Sequence, residues 1–281
     1  MIVGVTGATS GIGQAVTAAL HHQDHDVVLF GRTQGLPSSR HFDLSVAGSK
    51  PDLRDLDSLI HLAWDWTTPH ARSPNLNGGI RLLNQCIGSG VRPILLSTES
   101  VHAPRSRYGF QKRKLESFFT DAGGQVVRSG ILWGIHATGI IQTLRTICNL
   151  PLPCVHFKPR TLLHHSQIES VAGQLVSAAE AKSGQETVHA WSNETVSLEE
   201  VLHAGQTQRW RPHIPMPLHP LHRIADLLEV LGAPGGIRPD SLRGLQTVSR
   251  GQPFTVDDCG FSDFPGANEF LDWFRRSIRP S

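Results

Sequence analysis

Short apolar runs alternate with amphipathic stretches through most of the chain. Ile2–Val5, Val27–Phe30, Leu59–Ala63, Ile94–Leu96, Gln125–Val127 and Thr187–Ala190 carry few polar positions, the pattern of parallel strands buried on both faces. Between the first two, Ile12, Ala15, Val16, Ala19 and Leu20 fall on one helical face, and Leu76, Ile80, Leu83 and Ile87 repeat the pattern further on. This β-α-β-α order predicts an α/β fold built on a doubly wound parallel sheet.

After Ile131 the rhythm loosens through Pro151, Pro153 and Pro159. It returns with an apolar stripe at Ile168, Val171, Ala172, Leu175 and Val176, then the Thr187–Ala190 strand and a helix opened by a Ser197-x-x-Glu200 capping box. The four prolines in the segment from Trp210 through Pro220 predict an irregular loop. Phe270, Leu271 and Phe274 predict a final docked helix, and no internal repeat interrupts the order.

Composition narrows the function classes. Twenty-six Lys and Arg against 24 Asp and Glu leave a net charge of +2, too small for a dedicated nucleic-acid or anionic-membrane binder. Cys86, Cys148, Cys154 and Cys259 form no Cys-x-x-Cys pair, which disfavours a zinc knuckle or disulfide scaffold. Met1 runs straight into the first strand without a leader pattern, and no stretch reaches a membrane-spanning length. A cytoplasmic protein is expected.

The first candidate site is the turn Thr6-Gly7-Ala8-Thr9-Ser10-Gly11-Ile12-Gly13, which directly follows a strand and opens a helix. Glycines there permit a tight turn and close backbone approach, so the helix N-terminus can present N–H groups to a pyrophosphate. Gly7, Thr9, Ser10, Gly11, Ile12 and Gly13 are therefore candidate dinucleotide contacts in a Rossmann sheet. About 20 residues on, where an acidic side chain would select NAD, the second strand ends in Phe30-Gly31-Arg32. The Arg32 guanidinium can pair with a 2′-phosphate, which favours NADP and leaves NAD possible.

The second candidate is Tyr108-Gly109-Phe110-Gln111-Lys112, a Tyr-x-x-x-Lys unit after a strand ending in Ser97-Thr98. Its spacing puts phenol and ammonium on one helical face, and Tyr108 is the chain's only tyrosine. Together these motifs resemble the extended short-chain dehydrogenase/reductase family of nucleotide-sugar epimerases, dehydratases and ketoreductases. Asp43-Leu44 resembles the pair that the family sets beside the adenine, and His61-Leu62-Ala63 its His-Leu-Ala segment. Asn75 through Leu83 follows its next helix, with Gly79 and Arg81 as departures. Arg128-Ser129-Gly130 with Trp133-Gly134, and the closing segment from Leu242 to Phe274, extend the likeness over nearly the whole chain.

The resemblance implies a cofactor domain over 1–165, completed by a returning strand and helix near 166–190. It implies a smaller substrate-binding subdomain over 191–281, to which 131–160 contributes. It makes Thr98, Tyr108 and Lys112 catalytic, with Lys112 also holding the nicotinamide ribose and Leu62 and Ala63 flanking the cofactor. Glu99 follows the threonine as in the 4,6-dehydratases, but Ser100 stands where their second acid is needed. A 4-keto-sugar reductase is therefore preferred, with a 4-epimerase as the alternative and an inactive NADP-binding sensor as the reading from another class. His102, Gln111, Ser166 and Gln167 depart from the family pattern. Homodimerisation through the helices at Asn75–Ser89 and Tyr108–Asp121 is also implied, with Phe118 and Phe119 serving that seam or the core.

Three smaller readings stay open from the residues alone. His21, His22, His25, His164 and His165 are read as solvated rather than metal-binding, since no Glu or Cys spacing supports a catalytic metal. Glu99 is either functional or a solvated loop carboxylate. Trp64 and Trp66 either line the pocket or pack.

Overall fold

The computed structural model describes residues 1–32, 38–66, 74–103, 106–150, 154–158, 160–181, 187–206, 213–217, 223, 226–227, 229, 239–245 and 263–278. The chain divides into two compact units. One comprises Met1–Thr98, Gln111–Arg128 and Ile168–Val188, the other Glu99–Phe110, Ser129–Gln167 and His189–Ser281.

The main sheet has seven strands: β1 (Ile2–Thr6), β2 (Asp26–Gly31), β3 (Ser39–His41), β4 (Ser58–His61), β5 (Arg92–Thr98), β6 (Gln125–Ser129) and β10 (Thr187–Ala190). Their order is β10-β6-β5-β4-β1-β2-β3, with parallel pairing from β5 through β4, β1 and β2 to β3. All six expected strands are present. They form because β1, β4 and β5 are almost wholly buried around apolar centres, which suits strands covered on both faces. The order reverses between β1 and β4, so the carboxyl ends of these two strands flank the crevice where open α/β sheets take ligands.

Helices α1 (Gly11–His22), α2 (Pro74–Ser89) and α5 (Ile168–Glu180) belong to the first unit. One core cluster joins Val28, Phe30, Leu59, Leu82 and Cys86, and another joins Leu83, Leu95, Leu115, Phe119 and Val126. Phe119 is thus core, whereas Phe118 is exposed. The two departures on α2 have packing reasons. A Cβ on Gly79 would lie 2.7 Å from the Leu115 side chain, and Arg81 Nη2 donates to the carbonyls of Leu44 and Val46 at 2.9 and 3.0 Å.

The second unit holds a three-stranded sheet, β11-β9-β7, from β7 (Ile131–Trp133), β9 (Leu162–Gln167) and β11 (Thr195–Ser197), and a parallel pair of β8 (Cys154–Lys158) with β12 (His213–Pro217). Helix α6 (Leu198–Ala204) starts with the expected capping box, both of its hydrogen bonds formed. Helices α7 (Pro239–Gly244) and α8 (Ala267–Ile278) follow, α8 burying Phe270 and Phe274 as expected. Helix α3 (Arg107–Asp121) is shared between the two units.

Two expectations are corrected. The loosened stretch after Ile131 contains α4 (Ile140–Asn149), which buries Ile141, Leu144 and Cys148. The loop expected at 210–220 contains β12, while its remaining residues lie outside those described. Pro215 and Pro217 sit in that strand opposite His156 and Lys158. In a two-stranded sheet each strand keeps an edge where a missing N–H breaks no ladder. No helix among the described residues is long and apolar enough to cross a membrane.

Candidate active site

The glycine turn starts where β1 ends. Gly7 has a φ of +72°, a conformation costly for any side chain. Ser10 caps α1 by accepting from the Gly13 N–H at 3.1 Å and donates to the Gly7 carbonyl at 2.8 Å. The helix's first turn carries no acidic side chain, so its positive end is left to an anion. A Cβ on Gly13 would stand 2.3 Å from the Gly7 oxygen and under 3 Å from the Ala8 backbone. The cradle fits a dinucleotide pyrophosphate. Gly13→Ala is expected to destabilise the protein by about 1–3 kcal/mol, as overpacking does, and to weaken binding of a nicotinamide dinucleotide at least about tenfold. Thermal melts and a fluorescence titration check both.

A lock unnoticed in the sequence fixes this turn against the end of β4. Thr6 Oγ1 accepts from the N–H groups of Leu62 and Ala63, both at 3.2 Å, and lies 2.8 Å from His61 Nδ1. Two accepted bonds fill the lone pairs of a hydroxyl, so Thr6 donates to Nδ1 and the proton of His61 sits on Nε2. Burial pushes His61 down to about 3, helped by the charge of Lys112, which keeps the ring neutral. Gly7 approaches Ala63 so closely that a Cβ would lie 2.8 Å from the Ala63 nitrogen.

Around this turn, Leu62 is buried and Ala63 half-buried. Asp43 is half-buried, its Oδ1 accepting from the Ser45 N–H and hydroxyl at 2.8 and 2.7 Å. Leu44 packs where a Cβ on Gly78 would clash at 2.6 Å. Arg32 is exposed immediately after β2.

Lys112 is 3 % exposed. Its Nζ donates to the Leu96 carbonyl at 2.6 Å and stands 4.7 Å from the centroid of the Trp64 ring, a cation–π contact. Burial lowers its pKa to about 7, against the raising influence of the Glu116 carboxylate one helical turn on. Glu116 is itself gripped by Arg128 through two contacts of 2.8 and 3.1 Å. Trp64 therefore has a role at the lysine, while Trp66 is exposed. Thr98, half-buried, is the last residue of β5.

In the second unit Tyr108 is half-buried at the second position of α3, one helical turn before Lys112 along that helix. Its N–H donates to Asp240 Oδ2 at 2.9 Å, a partner no local signal announces. Glu99 is not solvated: its side chain is 12 % exposed and 3.7 Å from His164 Nε2. His164 and His165 are buried, which corrects their reading as solvated. His164 stacks on Trp191 at 4.9 Å and His165 on Phe270 at 5.0 Å, burial lowering His165 to about 4. Ser166 accepts from the Gly130 N–H and donates to the Ala190 carbonyl, so its departure from the family pattern serves the fold. Among the described residues no group of three or more His, Cys, Asp or Glu could hold a metal ion.

No family profile and no curated protein matches the chain. Solved structures do. One described as gox2253 is 18% identical with a TM-score of 0.66, the match covering 98% of both chains. MoeE5 in complex with UDP-glucose and NAD is 19% identical with a TM-score of 0.64, covering 99% of this chain and 100% of that one. UDP-N-acetylglucosamine 4-epimerase from Bacillus cereus is 15% identical with a TM-score of 0.58, covering 77% and 85%. The chain shares the fold of these solved structures, a Rossmann-like α/β sheet flanked by helices.

Proposed function

We propose that the protein is an NADP-dependent oxidoreductase that reduces a 4-keto nucleotide-sugar. The observation that carries this reading is the buried ammonium of Lys112 one helical turn beyond the lone phenol of Tyr108. A lysine is buried at a cost, and the cost has a use if its charge lowers the pKa of a nearby phenol from about 10. Tyr108 then passes a proton to the substrate oxygen, Thr98 hydrogen-bonds the same oxygen, and Lys112 keeps the phenol able to exchange protons. Bound NADPH supplies the hydride. Gly7, Thr9, Ser10, Gly11, Ile12 and Gly13 cradle its pyrophosphate, Asp43 and Leu44 meet its adenine, and Leu62 and Ala63 flank it. We assign the cofactor to 1–165 with the return near 166–190, and the substrate to 191–281 with 131–160, in a cytoplasmic homodimer.

Oxidation of NADPH by a panel of 4-keto nucleotide-sugars tests the reading. Quenching of NADPH fluorescence with no oxidation across the panel would replace it by the cofactor-sensing one. Arg32 makes a separate prediction. Arg32→Ser removes the partner of the 2′-phosphate and is expected to weaken NADPH by about 1.5–3 kcal/mol, the range of a hydrogen bond to a charged group, while leaving NADH unchanged. Parallel titrations with the two nucleotides decide it.

A second reading, a 4-epimerase holding NAD, is favoured by the similar structures solved with NAD, among them MoeE5 and the Bordetella bronchiseptica enzyme WbmH. Purified protein carrying tightly bound NAD, and interconverting 4-epimers with no net oxidation, would select it.

A further inference from the structure

The first three N–H groups of α3 all find acceptors, and two of them find the same carboxylate. Arg107 donates to Asp240 Oδ1 at 2.9 Å and Tyr108 to Oδ2 at 2.9 Å, while Gly109 donates to Ser106 Oγ at 3.0 Å. Ser106 Oγ in turn donates to Asp240 Oδ2 at 3.0 Å. A helix start leaves such donors for a local cap or for water. Here Ser106 supplies the local cap to Gly109, and a residue 132 positions beyond Tyr108 takes the first two donors, with its negative charge at the positive end of the helix dipole.

Asp240 is held in turn. It lies at the start of α7, whose Arg243 is 8 % exposed. The Arg243 guanidinium contacts Asp226 at 2.6 Å, Glu229 at 2.5 Å and Asp240 Oδ1 at 3.7 Å. Glu229 also accepts from Arg107 Nη1 at 2.9 Å. On another side, α3 presses on Ser100 so tightly that a Cβ on Gly109 would fall 1.9 Å from the Ser100 carbonyl oxygen. Gly244, ending α7, also faces Ser100, since a Cβ there would lie 3.0 Å from Oγ. The turn that carries the phenol is thus fixed from α7 and from Ser100 as well as by its own helix.

We infer that Asp240 is a positioning residue for Tyr108: it holds the backbone N–H of that residue, and Arg243 with its carboxylates holds Asp240. The catalytic meaning of this rests on the role proposed for Tyr108, but the positioning does not. Because the chain has one tyrosine, tyrosine labelled with ¹³C at Cζ gives a single NMR signal that can be read without turnover. In Asp240→Asn, folded by circular dichroism, that signal is expected to shift and broaden, and Asp240→Glu is expected to restore it in large part. With a substrate in hand, kcat of Asp240→Asn falls about 10- to 100-fold, as misplacement of a reacting group does, while KM and NADPH affinity change little.

An unaltered tyrosine signal in folded Asp240→Asn overturns the inference, as does a fall in kcat matched by an equal loss of NADPH binding. A changed signal with no effect on kcat leaves the positioning standing and removes Tyr108 from the chemistry. If Asp240→Asn does not fold, Arg243→Lys, which keeps the charge but loses the fork, is read the same way. An unchanged signal there overturns the inference equally.

Discussion

Replacing Tyr108 by phenylalanine is expected to lower kcat by about 10²–10⁴-fold, the worth of a positioned general acid. The change removes one hydroxyl and leaves the ring. The backbone anchor of the residue, its N–H on Asp240, does not involve the side chain, so α3 keeps its start and NADPH affinity stays at the wild-type level. An interaction made only in the transition state lowers kcat and kcat/KM together, and this pattern separates loss of the phenol from loss of substrate binding. The experiment carries its own control. Tyr108 is the sole tyrosine, so the phenolate absorbance seen on alkaline titration belongs to it and vanishes in the variant. A steady-state rate near wild type in Tyr108→Phe would remove this residue from the mechanism.

Much of the sheet was legible because a strand buried on both faces writes its burial into consecutive residues. The runs around Val5, Leu29, Ile60, Leu95 and Val126 each became a strand, as did the half-buried edge run around Val188. The turn from Gly7 to Gly13 and the Ser197 capping box were legible for a related reason, since each is a local hydrogen-bonding device closed within a few residues. What stayed hidden depends on partners distant in the chain. Thr6 acts on residues 55 to 57 positions away, and Asp240 acts on the start of α3 from 132 to 134 away. Neither leaves a periodicity. Helix α4 was hidden differently, because its ten residues lie between Gly139, at a φ of +70°, and the prolines that follow. The burial of His164 and His165 is not legible in the sequence because it comes from distant aromatic side chains, Trp191 on His164 and Phe270 on His165. The Trp64 contact with Lys112 could have been suspected from the position of that tryptophan just after the His-Leu-Ala strand, but only coordinates place its ring beneath the ammonium.

Lys112→Met should make the protein more stable and nearly inactive at once. Burial brings the lysine from 10.5 to about 7, and at about 1.4 kcal/mol per pKa unit the ammonium costs the folded state on the order of 3–5 kcal/mol at neutral pH. Methionine fills a similar unbranched volume without that cost. It gives up the hydrogen bond to the Leu96 carbonyl and the contact with Trp64, which together return about 1–3 kcal/mol. A net gain of about 1–3 kcal/mol follows near pH 6.5. The pH dependence has a definite sign. The folded pKa lies below the unfolded one, so between about 7 and 10.5 the unfolded chain binds the extra proton and wild-type stability rises with pH. The advantage of the methionine variant is therefore full below pH 7 and shrinks towards pH 10.5. Urea unfolding at pH 6.5 and again near pH 9.5 measures the gap. A variant less stable than wild type at the lower pH, or a gap that does not narrow with rising pH, would show that Lys112 is held without strain. The cost inferred here would then be no sign of function. A stabilised variant that has also lost turnover ties the burial of that charge to the proton transfer proposed at Tyr108.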